Sequence, residues 1–266
     1  MTGSAKRSQH DIRADGATED GSHMKGKVAL VTGGGSGIGR SASLLFARRG
    51  AKVVVADIAS PGGEETAAMV QTAGGDAMFV QADVSRTEEV EAMVDRTVAT
   101  FGRLDFAFNN AGIFLGLTPL PDYTEEMWER NIGVNLKGVW LCMKYEIPRM
   151  LENGGGAIVN TSSIAGLVAF PGHYGYVASK SGVNGITKGA ALEFAASNVR
   201  VNAVCPGVTD TPMAKGLLLD AYKALHPMGR FGTPKDIAST AVWLCSDEAS
   251  FITGQILAVD GGYTIP

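Results

Sequence analysis

The feature that most constrains this chain is a short apolar run that leads directly into a glycine-rich turn and then a helix. Residues 27–32 are rich in valine and have the length of a strand. The glycine-rich turn that follows is Gly33-Gly-Gly-Ser-Gly37-Ile-Gly39. Residues 40–49 then carry apolar side chains at helical spacing, and Gly50 comes directly after them. This order is typical of dinucleotide sites, because glycines let the backbone approach a pyrophosphate and a helix start offers free N–H groups. The alternative is a glycine-rich loop that binds no nucleotide.

A second valine-rich run, residues 52–56, ends in an acidic side chain that bears on the choice of cofactor. Asp57 stands where a carboxylate accepts hydrogen bonds from an adenosine ribose and repels a 2′-phosphate. Ile58 follows it and Ser36 lies inside the glycine turn, so neither supplies a cation for that phosphate. Arg40 is the one basic residue close enough in sequence to do so. NAD is therefore favoured over NADP, with a plain turn residue or a helix N-cap as the alternative role of Asp57.

A tyrosine and a lysine four residues apart are candidates for acid-base chemistry. Tyr176 and Lys180 lie in a segment with a helical pattern, which places both side chains on one face. A free phenol has a pKa near ~10, and a nearby ammonium favours the phenolate and lowers that pKa. The plain alternative is an amphipathic helix whose lysine reaches solvent. Tyr174 is a second phenol, but Ala178 rather than a base lies four residues beyond it.

Further motifs accompany these two in a fixed order, namely Asn109-Asn110-Ala111-Gly112, Asn135, Ser163 and Pro206-Gly207. With Thr32-Gly33-x-x-x-Gly37-x-Gly39 and Tyr176-x-x-x-Lys180 they resemble the short-chain dehydrogenases/reductases, from about residue 25 to the C-terminus. The resemblance implies one doubly wound Rossmann domain of the α/β class, with a parallel seven-stranded sheet flanked by helices. It also implies a nicotinamide cofactor and hydride transfer between a secondary alcohol and a ketone.

The resemblance assigns roles to individual residues. It implies that Tyr176 takes the hydroxyl proton, Ser163 binds the substrate oxygen, Lys180 lowers the phenol pKa and binds the nicotinamide ribose, and Asn135 anchors a water on the proton path. The implied cofactor contacts are Gly33, Ser36, Gly37, Ile38, Gly39, Asp57, Ile58, Asp83, Val84, Asn110, Ala111, Gly112, Tyr176, Lys180, Pro206, Gly207, Thr209 and Thr211.

Several of these positions also have plain structural interpretations. Asp83 is implied to meet the adenine amine, but it could be the N-cap of the following helix. Asn110 is implied to lie beside the adenine-side ribose, but it could only hold a turn. Ser163, 13 residues before Tyr176, could be a turn residue, and Pro206-Gly207 could be an ordinary proline-glycine turn.

Strand and helix patterns alternate along the chain. Strands are predicted at 27–32, 52–56, 77–81, 104–109, 157–161, 199–204 and 256–259. Helices are predicted at 40–49, 63–72, 88–100, 125–151, 175–196 and 234–245. Such alternation predicts a parallel sheet with helices on both faces and ligands beyond the carboxyl ends of the strands.

Composition narrows the class of protein and its partners. The 266 residues are 45% apolar with a net charge of −4, and no basic block favours nucleic acid or an anionic membrane. No apolar run is long enough for a bilayer and no signal peptide is visible. Cys142, Cys205 and Cys245 show no disulfide or zinc pattern and the four histidines are scattered, so a reducing cytoplasm and no metal are predicted. Residues 1–24 are polar, which predicts a flexible leader or tag remnant before a single domain, 25–266.

The substrate pocket and the assembly are open to more than one interpretation. Segments 113–122, 164–173 and 213–231 are largely apolar, which favours a neutral hydrophobic or cyclic alcohol or ketone; they could equally be core or subunit contacts. Gly182, Gly185 and Gly189 allow close helix packing, either within the chain or in the homotetramer that is usual in the resembled family. A 3-oxoacyl-thioester (acyl-carrier-protein) reductase that uses NADPH is the alternative enzyme, and a non-catalytic dinucleotide sensor is the alternative outside enzymes.

Overall fold

In the computed structural model, which describes residues 24–217 and 219–265, seven parallel strands form one sheet in the order β3-β2-β1-β4-β5-β6-β7. The strands are β1 Val28–Thr32, β2 Lys52–Asp57, β3 Ala77–Gln81, β4 Phe106–Asn109, β5 Gly156–Thr161, β6 Val199–Pro206 and β7 Ile256–Val259. The chain reverses its direction of travel across the sheet between β1 and β4, which creates a crevice at the carboxyl ends of these strands. The predicted doubly wound fold is confirmed.

Helices cover both faces of the sheet and bury it in two apolar clusters. They are α1 Gly37–Arg48, α2 Ser60–Thr72, α3 Thr87–Phe101, α4 Glu125–Ile132, α5 Gly138–Glu152, α6 Tyr174–Phe194, α7 Asp220–Ala224 and α8 Pro234–Cys245. One cluster joins the sheet to α3, α5 and α6, and the other joins it to α1 and α8. Because both faces are covered, the central strands are continuous apolar runs rather than alternating ones.

The predicted helix 125–151 is divided in the structure. A π-helical turn, Gly133–Lys137, separates α4 from α5, and Asn135 lies at its centre. The amide of Asn135 bonds to the backbone of Ile113 on another segment, so the wider turn is held from outside the helix. A 3₁₀ helix, Pro212–Leu217, and the short α7 also occur in or beside the apolar segment 213–231.

The predicted leader ends one residue too late. Met24 is only 1% exposed, packs with the cluster that includes Phe46, and donates its backbone N–H to the carbonyl of Arg49 at 2.9 Å. The remainder of the predicted leader, residues 1–23, lies outside the described residues. Within the described residues, no helix combines the length and the apolar character needed to cross a bilayer.

Candidate active site

A cavity of about 890 Å³ lies at the edge of the sheet where β1, β2, β4, β5 and β6 end. It extends from Asp57 at the end of β2 to Tyr176 and Lys180 on α6. All the residues predicted for the site line it except Gly39 and Asn135. The structure therefore collects in one cleft residues that are far apart in the sequence, as expected for the carboxyl ends of parallel strands.

The glycine turn between β1 and α1 leaves room for a ligand. Gly33 and Gly37 have φ angles of +62° and +49°, which favour glycine, and a Cβ on Gly39 would lie 2.1 Å from the carbonyl oxygen of Gly33. Ser36, the N-cap of α1, makes no side-chain capping bond, and no acid occupies the first turn. The first N–H groups of α1 are thus not satisfied by a cap and can bind an anion such as a pyrophosphate.

Asp57 is fixed at the mouth of this turn by two backbone groups. Its Oδ2 accepts the N–H of Gly35 and its Oδ1 accepts the N–H of Ala59, both at 2.9 Å. Arg40, the cation that could have served a 2′-phosphate, donates to the carbonyl of Gly35 at 2.7 Å and forms an ion pair with Glu65. The carboxylate therefore lines the cavity, and the guanidinium has protein partners of its own.

Asn110 joins the end of β4 to the glycine turn. Its Nδ2 donates to the carbonyl of Thr32 at 3.2 Å, and the Thr32 hydroxyl accepts the N–H groups of Asn110 and Ala111 at 3.0 and 3.1 Å. Asn110 thus holds the turn and also lines the cavity.

Asp83 does not cap a helix, because α3 begins at Thr87 with Arg86 as its N-cap. The Asp83 Oδ1 instead accepts the N–H and the hydroxyl of Ser85.

Asn135 lies behind the cavity wall rather than in it. Its Oδ1 accepts the N–H of Ile113 at 2.8 Å and its Nδ2 donates to the carbonyl of Ile113 at 2.9 Å. A Cβ on Gly112 would lie 3.2 Å from this Oδ1 and 3.6 Å from the Nζ of Lys180. The fully buried amide therefore places the 112–113 backbone beside the lysine.

The predicted serine, tyrosine and lysine come together at the start of α6. The Lys180 Nζ lies 5.6 Å from the ring centroid of Tyr176 and donates to the carbonyl of Thr161 at 2.8 Å. Ser163 follows β5 and interacts with the phenol of Tyr176. The neighbouring Ser162 donates its hydroxyl to the carbonyl of Lys180.

The pKa of Tyr176 differs from the expectation. Burial raises the pKa of Tyr176, and a hydrogen bond with Ser163 opposes that effect, so the expected lowering by Lys180 is not found. Burial also lowers the pKa of Lys180 to about 8. The physical reason is that the ammonium bonds to the Thr161 carbonyl and lies over the phenol ring, while both groups lose hydration.

The wall beside Tyr176 is a chain of aromatic rings. The ring of Phe114 lies edge-on to that of Tyr176, with centroids 5.4 Å apart, and stacks on that of His173 at 5.1 Å. The ring of Phe170 lies 5.4 Å from that of His173 and 5.9 Å from that of Tyr263. Tyr263 was not predicted as a site residue, although it follows β7, whose carboxyl end lies at the same edge of the sheet.

Only part of each predicted wall segment reaches the cavity. Phe114, Phe170, Met213, Leu217 and Tyr222 line it, as predicted. Other predicted wall residues do not line it, namely Leu115, Leu117, Leu167, Val168, Leu219 and Met228; Leu218 lies outside the described residues. The segments consist of loops and short helical turns, so only some of their side chains face the cavity.

A buried histidine positions the loop that follows β6. The His226 Nε2 accepts the N–H of Val208 at 3.2 Å, and Nδ1 bonds to the carbonyl of Tyr222 at 2.8 Å. It thereby ties the loop that carries Pro206, Gly207, Thr209 and Thr211 to α7. The sequence contains no spacing signal for this contact.

Two further observations concern metal and cysteine chemistry. No group of three or more His, Cys, Asp or Glu side chains suited to a metal ion occurs in the part of the chain that the structure describes. Cys142, Cys205 and Cys245 are buried free thiols.

A doubly wound sheet with this glycine turn and with a serine, a tyrosine and a lysine in the adjoining cleft defines the class of nicotinamide-dependent oxidoreductases. A family model described as enoyl-(acyl carrier protein) reductase matches residues 33–264. The chain is 43% identical over 251 residues to the short chain dehydrogenase/reductase astE of Aspergillus oryzae, with 91% of this chain and 96% of that protein covered. The chain belongs to the short-chain dehydrogenase/reductase family.

More specific relatives are similar over nearly their whole length. Cyclohexanol dehydrogenase of Acinetobacter sp. (strain SE19) is 46% identical over 238 residues, which cover 90% of this chain and 95% of that protein. The 2,5-dichloro-2,5-cyclohexadiene-1,4-diol dehydrogenase of Sphingobium indicum is 45% identical and covers 91% and 99%. The crystal structure of levodione reductase has a TM-score of 0.87 at 35% identity and covers 90% and 98%. The protein is an oxidoreductase that interconverts a secondary alcohol and a ketone.

Proposed function

We propose that this protein oxidises neutral cyclic secondary alcohols, and reduces the matching ketones, with NAD(H). The observation that carries the proposal is the aromatic wall next to Tyr176, which consists of the rings of Phe114, His173, Phe170 and Tyr263. Such a wall favours a flat, uncharged ring. The names of the relatives agree, since cyclohexanol and cyclohexadiene-diol dehydrogenases act on six-membered rings.

The preference for NAD is supported by charge at the mouth of the cavity. A 2′-phosphate would meet the Asp57 carboxylate, which two backbone N–H groups hold in place. Arg40 is engaged with Glu65 and the Gly35 carbonyl. The glycine turn and the uncapped start of α1 fit a pyrophosphate, because no side-chain cap or acidic residue occupies the first N–H groups of the helix.

The chemical step is assigned to the residues that converge on Tyr176. In the oxidation direction Tyr176, as the phenolate, takes the hydroxyl proton of the substrate and becomes the neutral phenol. Ser163 donates a hydrogen bond to the same substrate oxygen, which stabilises its developing charge. Lys180 supplies a cation beside the phenol, and Asn135 holds the backbone against which the lysine packs. When bound, the nicotinamide ring supplies the hydride acceptor or donor.

The main alternative is a reductase of acyl thioesters, to which the description of the matching family model points. Such an enzyme needs cations for an acidic carrier protein. In the segment 213–231, Arg230 pairs with Asp236, and neither Lys215 nor Lys223 lines the cavity. Arg130 and Lys137 do line it. A comparison of NADH with NADPH, and of cyclohexanone with a 3-oxoacyl thioester, separates the two functions.

The test of the proposed function is oxidation of cyclohexanol with NAD⁺, followed at the nicotinamide absorbance. We expect Tyr176→Phe to lower kcat by at least about 100-fold, since proton transfer in the transition state loses its acceptor, while NAD⁺ binding measured by calorimetry persists. Tyr174→Phe, at the exposed first residue of α6, serves as the matched control. A near-normal rate in Tyr176→Phe would remove the tyrosine from the mechanism, and no oxidation of any cyclic alcohol by the unmodified protein would overturn the function.

We also propose a homotetramer in a reducing cytoplasm. The three buried free thiols agree with a reducing compartment. The tetramer is supported by an exposed face of α6 that carries Gly185, Gly189 and Leu192, and Leu192 is 85% exposed.

A further inference from the structure

One polar atom in the aromatic wall has no role in the chemistry assigned to Tyr176. His173, the N-cap of α6, lines the cavity with its ring between Phe114 and Phe170, at centroid distances of 5.1 and 5.4 Å. The two phenyl rings occupy its immediate surroundings. Burial beside these rings lowers the pKa of His173, which favours the neutral imidazole.

The hydrogen bond on the other side of the ring determines which nitrogen carries the proton. The His173 Nδ1 lies 3.0 Å from the carbonyl oxygen of Pro171. A carbonyl only accepts, so Nδ1 must be the protonated nitrogen, and Nε2 of the neutral ring has a free lone pair. No group among the described residues donates a hydrogen bond to Nε2.

The position of this acceptor relative to Tyr176 sets the shape of the ligand that can use it. Phe114 touches both rings, at 5.4 Å from Tyr176 and 5.1 Å from His173. The two rings therefore contact the same phenyl ring within one cavity. A carbocycle that packs on Phe114 with one hydroxyl at Tyr176 can present a second hydroxyl to His173.

We propose that His173 Nε2 accepts a hydrogen bond from a second hydroxyl group of the substrate, so that the preferred substrates are cyclic diols rather than cyclic mono-alcohols. This inference rests on the proposed function and narrows its substrate class. His173 is a specificity residue, because the second hydroxyl lies away from the carbon that reacts. A substrate without a donor at that position makes no hydrogen bond to this acceptor, which weakens binding in the transition state.

The test compares three six-membered substrates with NAD⁺: cyclohexane-1,4-diol, 4-methoxycyclohexanol and cyclohexanol. We expect kcat/KM for the diol, counted per reactive hydroxyl, to exceed that for cyclohexanol by about tenfold, the size of effect of one hydrogen bond to a partly buried acceptor. We expect no gain for 4-methoxycyclohexanol, whose ether oxygen cannot donate.

Variants at one position attribute the preference to the proposed atom. His173→Leu is expected to bring the diol-to-cyclohexanol ratio close to one. His173→Gln, whose amide oxygen can accept in place of Nε2, is expected to restore part of the ratio. Tyr174→Phe, at the next residue and outside the cavity lining, is the control and should keep the ratio of the unmodified protein. Using a ratio removes any general loss of activity or folding from the comparison.

The two possible failures give different results. If cyclohexanol and the diol are oxidised equally well, or His173→Leu leaves the ratio unchanged, the inference is overturned while the proposed function stands. If no cyclic alcohol is oxidised, the proposed function fails. In that case ligand-observed NMR with cyclohexane-1,4-diol and the NAD⁺ complex still tests His173, because saturation transfer should be stronger for the unmodified protein than for His173→Leu, and equal transfer would overturn the inference.

Discussion

Asp57 shows how a single side chain can govern the choice between two cofactors. Its two carboxylate oxygens are held by the N–H groups of Gly35 and Ala59, so its charge is fixed at the cavity mouth without a neutralising cation. A Cβ on Gly35 would lie 2.8 Å from Oδ2, so the residue at position 35 has to be small for this arrangement. The carboxylate can accept from a ribose, and it opposes a phosphate at the same place.

Replacement of this carboxylate should weaken the preference for NAD. We expect Asp57→Ala to lower the ratio of kcat/KM for NAD⁺ to that for NADP⁺ by at least about tenfold, because one hydrogen-bond acceptor and one repulsive charge are lost together. Steady-state kinetics with a cyclic alcohol measures the ratio. Asp76→Ala, an exposed acid just before β3, is the matched control. An unchanged ratio in Asp57→Ala would show that the aspartate does not meet the ribose.

At the scale of elements, a buried polar network joins α5 and α6 to the centre of the sheet. Asn109 at the end of β4 donates to Glu146 on α5 at 3.0 Å and to Asn160 on β5 at 3.1 Å, and Asn160 donates to Thr187 on α6 at 3.0 Å. The Glu146 Oε1 and the Asn109 Oδ1 have no hydrogen-bond partner among the residues that the structure describes. Burial raises the pKa of Glu146 to about 8, so this carboxyl is neutral at pH 7.

The stability of the fold should therefore depend on the protonation of Glu146. Between its unfolded pKa of 4.5 and its folded pKa of about 8, the folded protein retains a proton that the unfolded chain releases. The free energy of unfolding consequently falls as pH rises, by at most about 1.4 kcal/mol per pH unit from this group, and the loss levels off above pH 8. We expect Glu146→Gln, which stays neutral, to lack this contribution, so that its stability relative to the unmodified protein increases from pH 5 to pH 8.

Urea unfolding at several pH values measures this difference. Glu91→Gln, an exposed acid on α3, is the control and should follow the unmodified protein at each pH. Parallel stability curves for Glu146→Gln and the unmodified protein would contradict the prediction and mean that the buried carboxyl does not change its charge in this range.

For the whole molecule, the glycines of α6 separate internal from external packing. A Cβ on Gly182 would lie 2.7 Å from the side chain of Leu136, so this glycine serves a contact within the chain. A Cβ on Gly185 or Gly189 would meet nothing within 4 Å, and Leu192 is on the same exposed face. A partner helix could approach this face closely, which is the arrangement expected for a subunit contact.

A charge on this face should weaken the tetramer without damage to the fold. We expect Leu192→Glu to dissociate the protein into smaller species, because association would bury an unpaired carboxylate. Sedimentation velocity measures the species, and circular dichroism checks that the chain stays folded. Met69→Glu on α2 is the matched control and should leave the assembly intact. An unmodified protein that sediments as a monomer, or an unchanged Leu192→Glu tetramer, would contradict this assignment of the interface.

Local patterns in the sequence were sufficient for the elements of the fold and for most of the cleft. Valine-rich runs, glycine turns and helical spacing predicted the strands and the doubly wound order, because these signals are local and parallel strands deliver their carboxyl ends to one edge. The motif around Tyr176 and Lys180 predicted their shared helix face. The resemblance implies a disturbance of the helix at Asn135, but the periodicity alone predicted one continuous helix, 125–151, since the π-helical turn is held by a bond to Ile113 elsewhere in the chain.

The amino-acid sequence by itself determined the fold class, the glycine turn, the acid after β2 and the tyrosine–lysine pair. Only the tertiary structure decided which loop side chains face the cavity, that His226 and Tyr263 belong to its surroundings, and that Met24 lies in the core. It also reversed the expected pKa shift of Tyr176. The physical reason is that burial, loop side-chain direction and electrostatic balance depend on contacts between distant segments, whereas strand and helix patterns depend on neighbours along the chain.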